Sequence, residues 1–272
     1  MNTKYLDPDK WNLPVGVKIR GIILFSHAFF LYWLITSFNW GGFAIGLVGY
    51  IMISKIGADI GVHRYFCHRS FKAKPWADWL MLILSIMGGF GSVIHYTVAH
   101  RLHHAKSDKL EDPHSPNVTG AFKVWTLQLG DDWETDASLK YVKDLIKDKR
   151  QVFLYKYHFK LYLSWVFFVL LISLLFGWPW IVYLWAMPTT LAFHTSSALN
   201  VICHKWGYQT HNTNDQSTNN TWLNFILLGS ALHHNHHAFP TAYSHAGSKW
   251  YEFDLWGIVI KHILMEKPNK SV

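Results

Sequence analysis

The sequence predicts an all-α integral membrane protein: four transmembrane helices in two hairpins, with a cytoplasmic helical cap that carries a histidine-rich metal site. Three observations lead there. Gly21 to Ser54 contains no Asp, Glu, Lys or Arg, and neither does Leu161 to Cys203; each run is long enough for two spans of ~20 residues. Nine of the eighteen histidines gather as His63 and His68, as His100, His103 and His104, and as His233, His236 and His237, with His204 apart. The composition agrees, at 50% hydrophobic and only 15% charged over 272 residues. Core helices of a soluble all-α protein would also be apolar, but charge-free runs of this length are hard to hide in a chain this short.

Each apolar run reads as a helical hairpin. The first turns at Asn39-Trp40-Gly41-Gly42 and the second at Gly177-Trp178-Pro179-Trp180, where Gly and Pro permit a turn and Trp suits the membrane interface. Lys10, Lys18 and Arg20 precede the first hairpin, and Lys55, Arg64 and Arg69 follow it. Lys156 and Lys160 precede the second and Lys205 follows, while the tips carry no charge. Positive flanks stay inside, so both termini, the middle segment and the clustered histidines are expected to be cytoplasmic. The net charge of +8 fits this bias or an anionic leaflet, and no nucleic-acid partner is expected.

The intervening elements follow. Trp76 to Val98 is apolar, but as a span it would put His100, His103 and His104 on the opposite side from His63 and His68; it reads as an embedded or interfacial helix. Trp222 to Leu232 is too short to span and is expected to pack on the metal cap. Lys140 to Arg150 reads as a solvated basic helix face. About twenty mostly polar residues precede the first apolar run without a cleavage pattern after it, so no signal peptide is expected. Cys67 and Cys203 are too few for a disulfide scaffold and read as reduced. With no repeat or linker, the chain is expected to form one domain over 1–272, with hairpins at about 21–54 and 161–203 and a cap from 55–160 and 204–272.

Imidazole is a favoured ligand of iron, copper and zinc, and the spacing brings these imidazoles together. Positions i, i+3 and i+4 share a helical face, so His100/His103/His104 and His233/His236/His237 each converge. His63 and His68 diverge by about 140° on an ideal α-helix, so that pair is expected where a helix ends or unwinds. A metalloenzyme follows.

In order and spacing the motifs resemble the membrane fatty acid desaturases, particularly the stearoyl-CoA-type (delta-9) enzymes and their bacterial relatives. That family carries three boxes, HRxxxH, HRxHH and HNxHH. Here they read His63-Arg64-Tyr65-Phe66-Cys67-His68, His100-Arg101-Leu102-His103-His104 and His233-His234-Asn235-His236-His237. Ser107-Asp108, Asp112-Pro113-His114, Asn200, Asp215 with Ser217 and Asn219, Ala238-Phe239-Pro240, and Glu252 with Asp254 match as well. The resemblance implies two irons ligated by His63, His68, His100, His103, His104, His204, His233, His236 and His237, with Asn200 reaching one iron through water.

The departures are specific. His234 stands where Asn is usual, and Gly229-Ser230 replaces Gly-Glu. Tyr96 replaces the Trp of the acyl-CoA members, and Val98 and Ala99 replace their Arg-Asp pair, which removes a feature of CoA recognition. Ser196 and Ser197 occupy the places of a Thr-Trp pair that shapes the acyl tunnel. With Tyr96 they are expected to leave the tunnel shifted or wider.

The implied reaction is O2-dependent: two hydrogens leave adjacent methylenes of a long-chain fatty acyl substrate, on CoA or lipid, giving a cis alkene and water. Acid-base side chains cannot break such C–H bonds, whereas an oxygen-activating metal can. The chain shows no GxGxxG, iron–sulfur cysteine set or haem-attachment pattern, so an external donor, a ferredoxin or cytochrome b5-like protein with its reductase, is expected beside the membrane lipid. A membrane hydroxylase or other oxygenase would share the first step of this chemistry. A metal transporter would place its ligands near the bilayer midplane, and only His27 and His194 lie within the charge-free stretches.

Overall fold

The computed structural model describes residues 15–89, 91–126 and 138–267. Among these every regular element is helical, and the only β pairing consists of isolated bridges, such as Ala73 with Met265. Helix α1 spans Val15–Thr36. Asn39 then caps α2, its side chain accepting from Gly42 N at 2.7 Å, so the first turn falls where Asn-Trp-Gly-Gly predicts it. The flanking Lys10 lies outside the described residues.

Helix α2 is continuous over Trp40–Cys67, thirteen residues past the end of the charge-free run. It does not stop at Ser54 because Lys55 and Arg64 face inward, at 3% and 1% exposure, and find polar partners there. Its packing depends on two glycines: a Cβ at Gly42 would stand 2.3 Å from the Tyr183 ring and one at Gly46 would stand 2.4 Å from Met187 Sδ. This is the small-xxx-small spacing that lets membrane helices approach closely.

From Ile51 to Cys67 the helix widens into π turns, and His68 N donates to His63 O at 3.0 Å. An i→i+5 bond is the π repeat. The unwinding expected at this pair therefore takes the form of a wider turn, which carries two histidines five apart round to the same side.

The apolar stretch 76–98 is broken. Helix α3 covers Pro75–Met87 and α4 covers Val93–Lys106. Between them Gly89 and Gly91 adopt φ of +72° and +95°, and Ser92 caps α4 by accepting from His95 N. Thirteen residues rise only about 20 Å, so α3 cannot cross a bilayer alone.

Helix α5 (Ala121–Thr126) is short. The basic segment differs from expectation: instead of one helix face it forms two 3₁₀ turns, Ser138–Val142 and Leu145–Lys147. Asp148 then caps α6 (Lys149–Phe176), accepting from Arg150 N. Lys140, Lys143, Lys147 and Lys149 are exposed, so the segment is solvated without being one helix. Asp144 within it is claimed by Arg69 and Arg101.

Gly177, at φ +108°, ends α6. Helix α7 (179–202) follows as Pro179–Ile181, a π segment Val182–Ala186, and Met187–Ile202. It packs against both α1 and α2, around Trp33, Tyr162, Val182, Trp185 and Met187. Helix α8 (Thr221–Leu227) ends at Leu228 in the left-handed region and is tied by buried Asn224 to the carbonyl of Phe253, so 222–232 packs on the cap as predicted. Helices α9 (His233–Ala238) and α10 (Leu255–Leu264) complete it.

Among the described residues two helices, α2 and α6, are long and apolar enough to cross a membrane, each of 28 residues with mean hydropathies of 1.6 and 2.2 over their best windows. Only 11% of the α6 window is buried in the protein, leaving an apolar surface that lipid would cover.

Candidate metal centre

Four elements converge on one point: the π-wound end of α2, helix α4, the turn after α7, and α9. They bring all nine clustered histidines together in two groups. In the first, nitrogens of His63, His68, His100 and His236 lie within 4.8 Å of one another. His104 joins them, its Nε2 2.9 Å from His236 Nε2 and 3.1 Å from His100 Nε2. In the second, His103, His204, His233 and His237 meet the same limit, with His233 Nε2 3.0 Å from both His204 Nε2 and His237 Nε2. His204, an outlier in sequence, is thus delivered by the turn after α7.

Carboxylates fix the second group from behind. Asp112 accepts from His103 Nδ1 at 2.9 Å, Asp108 from His204 Nδ1 at 3.1 Å, and Asp215 from His237 Nδ1 at 2.9 Å. An ionised carboxylate only accepts, so each of these imidazoles carries its hydrogen on Nδ1. The bare Nε2 lone pairs of His103 and His237 then face each other 3.3 Å apart with no hydrogen between them. A cation resolves that repulsion, and carboxylate–His–metal alignment is the usual outer support of such a site.

Protonation states agree. Burial holds His100, His103, His233, His236 and His237 well below the ordinary imidazole range, and takes His104 to about 3. They are neutral at pH 7, the form that binds metal. Burial pushes Asp108 and Asp215 up, but the hydrogen bonds from His204 and His237 outweigh it and hold both below the usual carboxylate range. The side chain of His68 offers a further sign, because its Nε2 is buried without a hydrogen-bond partner. Nine imidazoles gathered with this support fit a two-metal, nitrogen-rich site.

The arginines of the first two boxes act differently. Arg64 donates to Asp254 Oδ2 at 2.6 Å, binding α2 to the residue that caps α10. Arg101 donates to Cys67 O and Asp144, holding the end of α2 against the 3₁₀ turns. His234 points away from both groups, between the Ser217 hydroxyl and the His211 carbonyl, so of the third box His233, His236 and His237 face the two groups.

A cavity opens beside the first group, bounded by His63, His100 and His233 and walled by Val62, Leu84, Ala192 and Leu199. Tyr96 and Ser196 line it, Tyr96 stacked on His100 at 5.2 Å, and Asn200 lines it one turn before His204. Ser197 does not: its hydroxyl donates to Trp125 O at 3.0 Å. Adjacent residues on a helix point about 100° apart, so of the two serines only Ser196 meets the cavity. Sequence reasoning also passed over Asp59 and His245, which border the cavity. Asp59 carried a signal, lying four residues before His63; His245, on a loop, carried none.

The fatty acid desaturase family model matches residues 37–257. The chain belongs to the fatty acid desaturase family. It is an oxidoreductase, a fatty acyl desaturase, and the transporter reading ends here. The sn-1 stearoyl-lipid 9-desaturase of Synechocystis sp. is 31% identical over 241 residues, covering 86% of this chain and 73% of that protein. The acyl-CoA C20 Delta5-desaturase of Anemone leveillei is 31% identical over 232 residues, covering 83% and 72%. The hex-5-enoyl-[acyl-carrier protein] acetylenase of Moorena producens is 31% identical over 239 residues, covering 78% and 72%. These desaturase-family relatives are named for different carriers, so similarity of this degree does not fix the carrier.

Proposed function

We propose that this desaturase is a diiron enzyme inserting a cis double bond, delta-9-like in position, into a long-chain acyl group carried on a membrane lipid. The convergence of two imidazole groups beside one cavity carries the reading. His63, His68, His100, His104 and His236 would hold one iron; His103, His204, His233 and His237 would hold the other, with Asn200 reaching it through water. Bound there, the irons would supply the O2-derived oxidising power that an unactivated C–H bond requires. The chain's own residues do the positioning. Val62, Leu84, Ala192 and Leu199 exclude bulk water and hold the methylenes, Tyr96 and Ser196 shape the wall, and the carboxylates keep the ligand nitrogens aimed. The lipid carrier is favoured because Val98 and Ala99 stand where acyl-CoA members have Arg-Asp. Electrons come from a ferredoxin or cytochrome b5-like donor with its reductase.

Lipid analysis of a desaturase-deficient host expressing the chain is the direct test. The expected result is a new cis-monoene in glycerolipids, lost under anaerobiosis. A hydroxylated chain in its place would assign the oxygenase alternative, and unsaturation confined to the acyl-CoA pool would refute the lipid carrier.

We read the chain as one domain with four spans, helices α1, α2, α6 and α7, and with both termini and the metal centre cytoplasmic. The basic flanks and the apolar surface of α6 support this. Cysteines placed at Gly41 and Trp178, both exposed at the turns, should label from outside, whereas one at Lys147 should label only after permeabilisation. Gly42 is unsuitable because any Cβ there meets Tyr183. The native Cys67 and Cys203 are buried and should stay silent. External labelling at Lys147 would reverse the assignment.

A further inference from the structure

Among the described residues, the three carboxylates that support imidazoles of the second group have a single counterpart in the first: Asp59. Its Oδ1 lies 3.4 Å from His63 Nδ1 and accepts from Arg64 Nε at 3.3 Å. Its Oδ2 accepts from the Ser230 hydroxyl at 2.5 Å, and that hydroxyl oxygen accepts from Lys55 Nζ at 3.0 Å. The directions are forced. An ammonium only donates, a carboxylate only accepts, and a serine hydroxyl has one hydrogen to give. So the order runs from Lys55 through Ser230 to Asp59, and His63 must present Nδ1–H to the carboxylate. Its Nε2 is then bare and stands 3.0 Å from His236 Nε2, inside the five-imidazole group.

Burial makes the arrangement consequential. Lys55 is 3% exposed on a membrane-type helix, where an ionisable side chain is costly unless partnered. Nothing in a fold made only to pack would need this cation, and replacing the whole set by apolar residues would be easier to accommodate. Four charges balance here: Lys55 and Arg64 against Asp59 and Asp254. Ser230 is also the position where the resembling enzymes carry Glu, so the carboxylate beside this ligand comes here from the opposite element.

We infer that Asp59 is the positioning residue of His63: tethered by Ser230 and Lys55, it fixes the Nδ1–H form of the imidazole and aims Nε2 into the five-imidazole group. The inference rests on reading that group as metal ligands. Titration of metal-free protein in detergent with Co(II) separates the two, because the visible bands of bound Co(II) report its coordination. The unaltered protein should take up two ions per chain; uptake of fewer would retire the metal reading itself. Given two ions, Asp59→Ser should weaken one of them about 10- to 100-fold, the usual effect of losing a ligand's outer partner, and alter its bands. The other ion should be unchanged, while the melting temperature of the metal-free protein should fall, because buried Lys55 and Arg64 lose a counter-charge. Glu is two bonds longer than Ser at its tip, so Asp59→Ser/Ser230→Glu returns a carboxylate to the same slot and should restore most of the affinity and the band shape. A titration of Asp59→Ser identical to the parent's overturns the inference, as does a double variant no better than the single one. Should Asp59→Ser not accumulate, Ser230→Ala removes only the tether, and parental binding by that variant would overturn it equally.

Discussion

Alanine at position 236 is expected to abolish desaturation and to empty the five-imidazole group of metal. His236 is 1% exposed, and its Nε2 stands 3.0 Å from His63 Nε2 and 2.9 Å from His104 Nε2. No other side chain reaches that position from α9, because His237 turns to His103 and His233, and His234 turns to Ser217. Even the outer partners of a metal ligand are worth 10- to 100-fold, so loss of the ligand itself should exceed about 100-fold in turnover. His262→Ala is the control: His262 is exposed on the last turn of α10 and should keep both metal and activity. The measurement is bound iron per chain beside fatty acid methyl ester analysis. Full turnover in His236→Ala would remove the histidine assignment.

The gathering of the nine histidines was legible in the sequence because ligand spacing is a local property. His100, His103 and His104 sit on one α-helical face, and periodicity alone brings them together. The first box was legible only as an anomaly. Five residues do not close an α-turn, and nothing in Ile51 to Cys67 announces that its turns are wide. Tertiary partners were less legible. Asp108, Asp112 and Asp215 could be aligned by resemblance, but the pairing of Asp108 with His204 and of Asp215 with His237 depends on loops folding back over long separations. The continuation of α2 past Ser54 was not legible, because Lys55 and Arg64 look like solvent-facing residues until their partners, Ser230 and Asp254, arrive from the far end of the chain. Ser196 and Ser197 are indistinguishable as a pair. One reaches the cavity and the other bonds Trp125, a difference set by helix rotation.

Removing the Asp254 carboxylate is expected to be among the most destabilising single changes outside the histidines. Arg64 and Asp254 are 1% and 2% exposed and paired at 2.6 Å. The carboxylate also accepts from His245 N at 2.8 Å and, as the cap of α10, from Gly257 N at 3.0 Å. Gly229 is part of the same fit, since a Cβ there would lie 2.1 Å from Asp254 Oδ1. Asp254→Ala leaves a buried guanidinium short of its partner and two backbone N–H groups unpaired. Breaking a buried pair in this way costs about 3–5 kcal/mol, more than either hydrogen bond alone. The consequence reaches the first imidazole group, because Arg64 follows His63 directly on α2 and loses its anchor. Burial pushes the Asp254 carboxyl up, but Arg64 outweighs it and holds the group below the usual carboxylate range. A depressed pKa gives stability that is fully present above the unfolded value, about 3.9, and is lost as pH falls through the folded one. The deficit of Asp254→Ala should therefore be constant from about pH 6 to 8 and shrink only in acid. Thermal unfolding in detergent across that range checks both statements. A melting temperature within a degree or so of the parent's, given the usual few degrees per kcal/mol, would show that Arg64 does not depend on this partner.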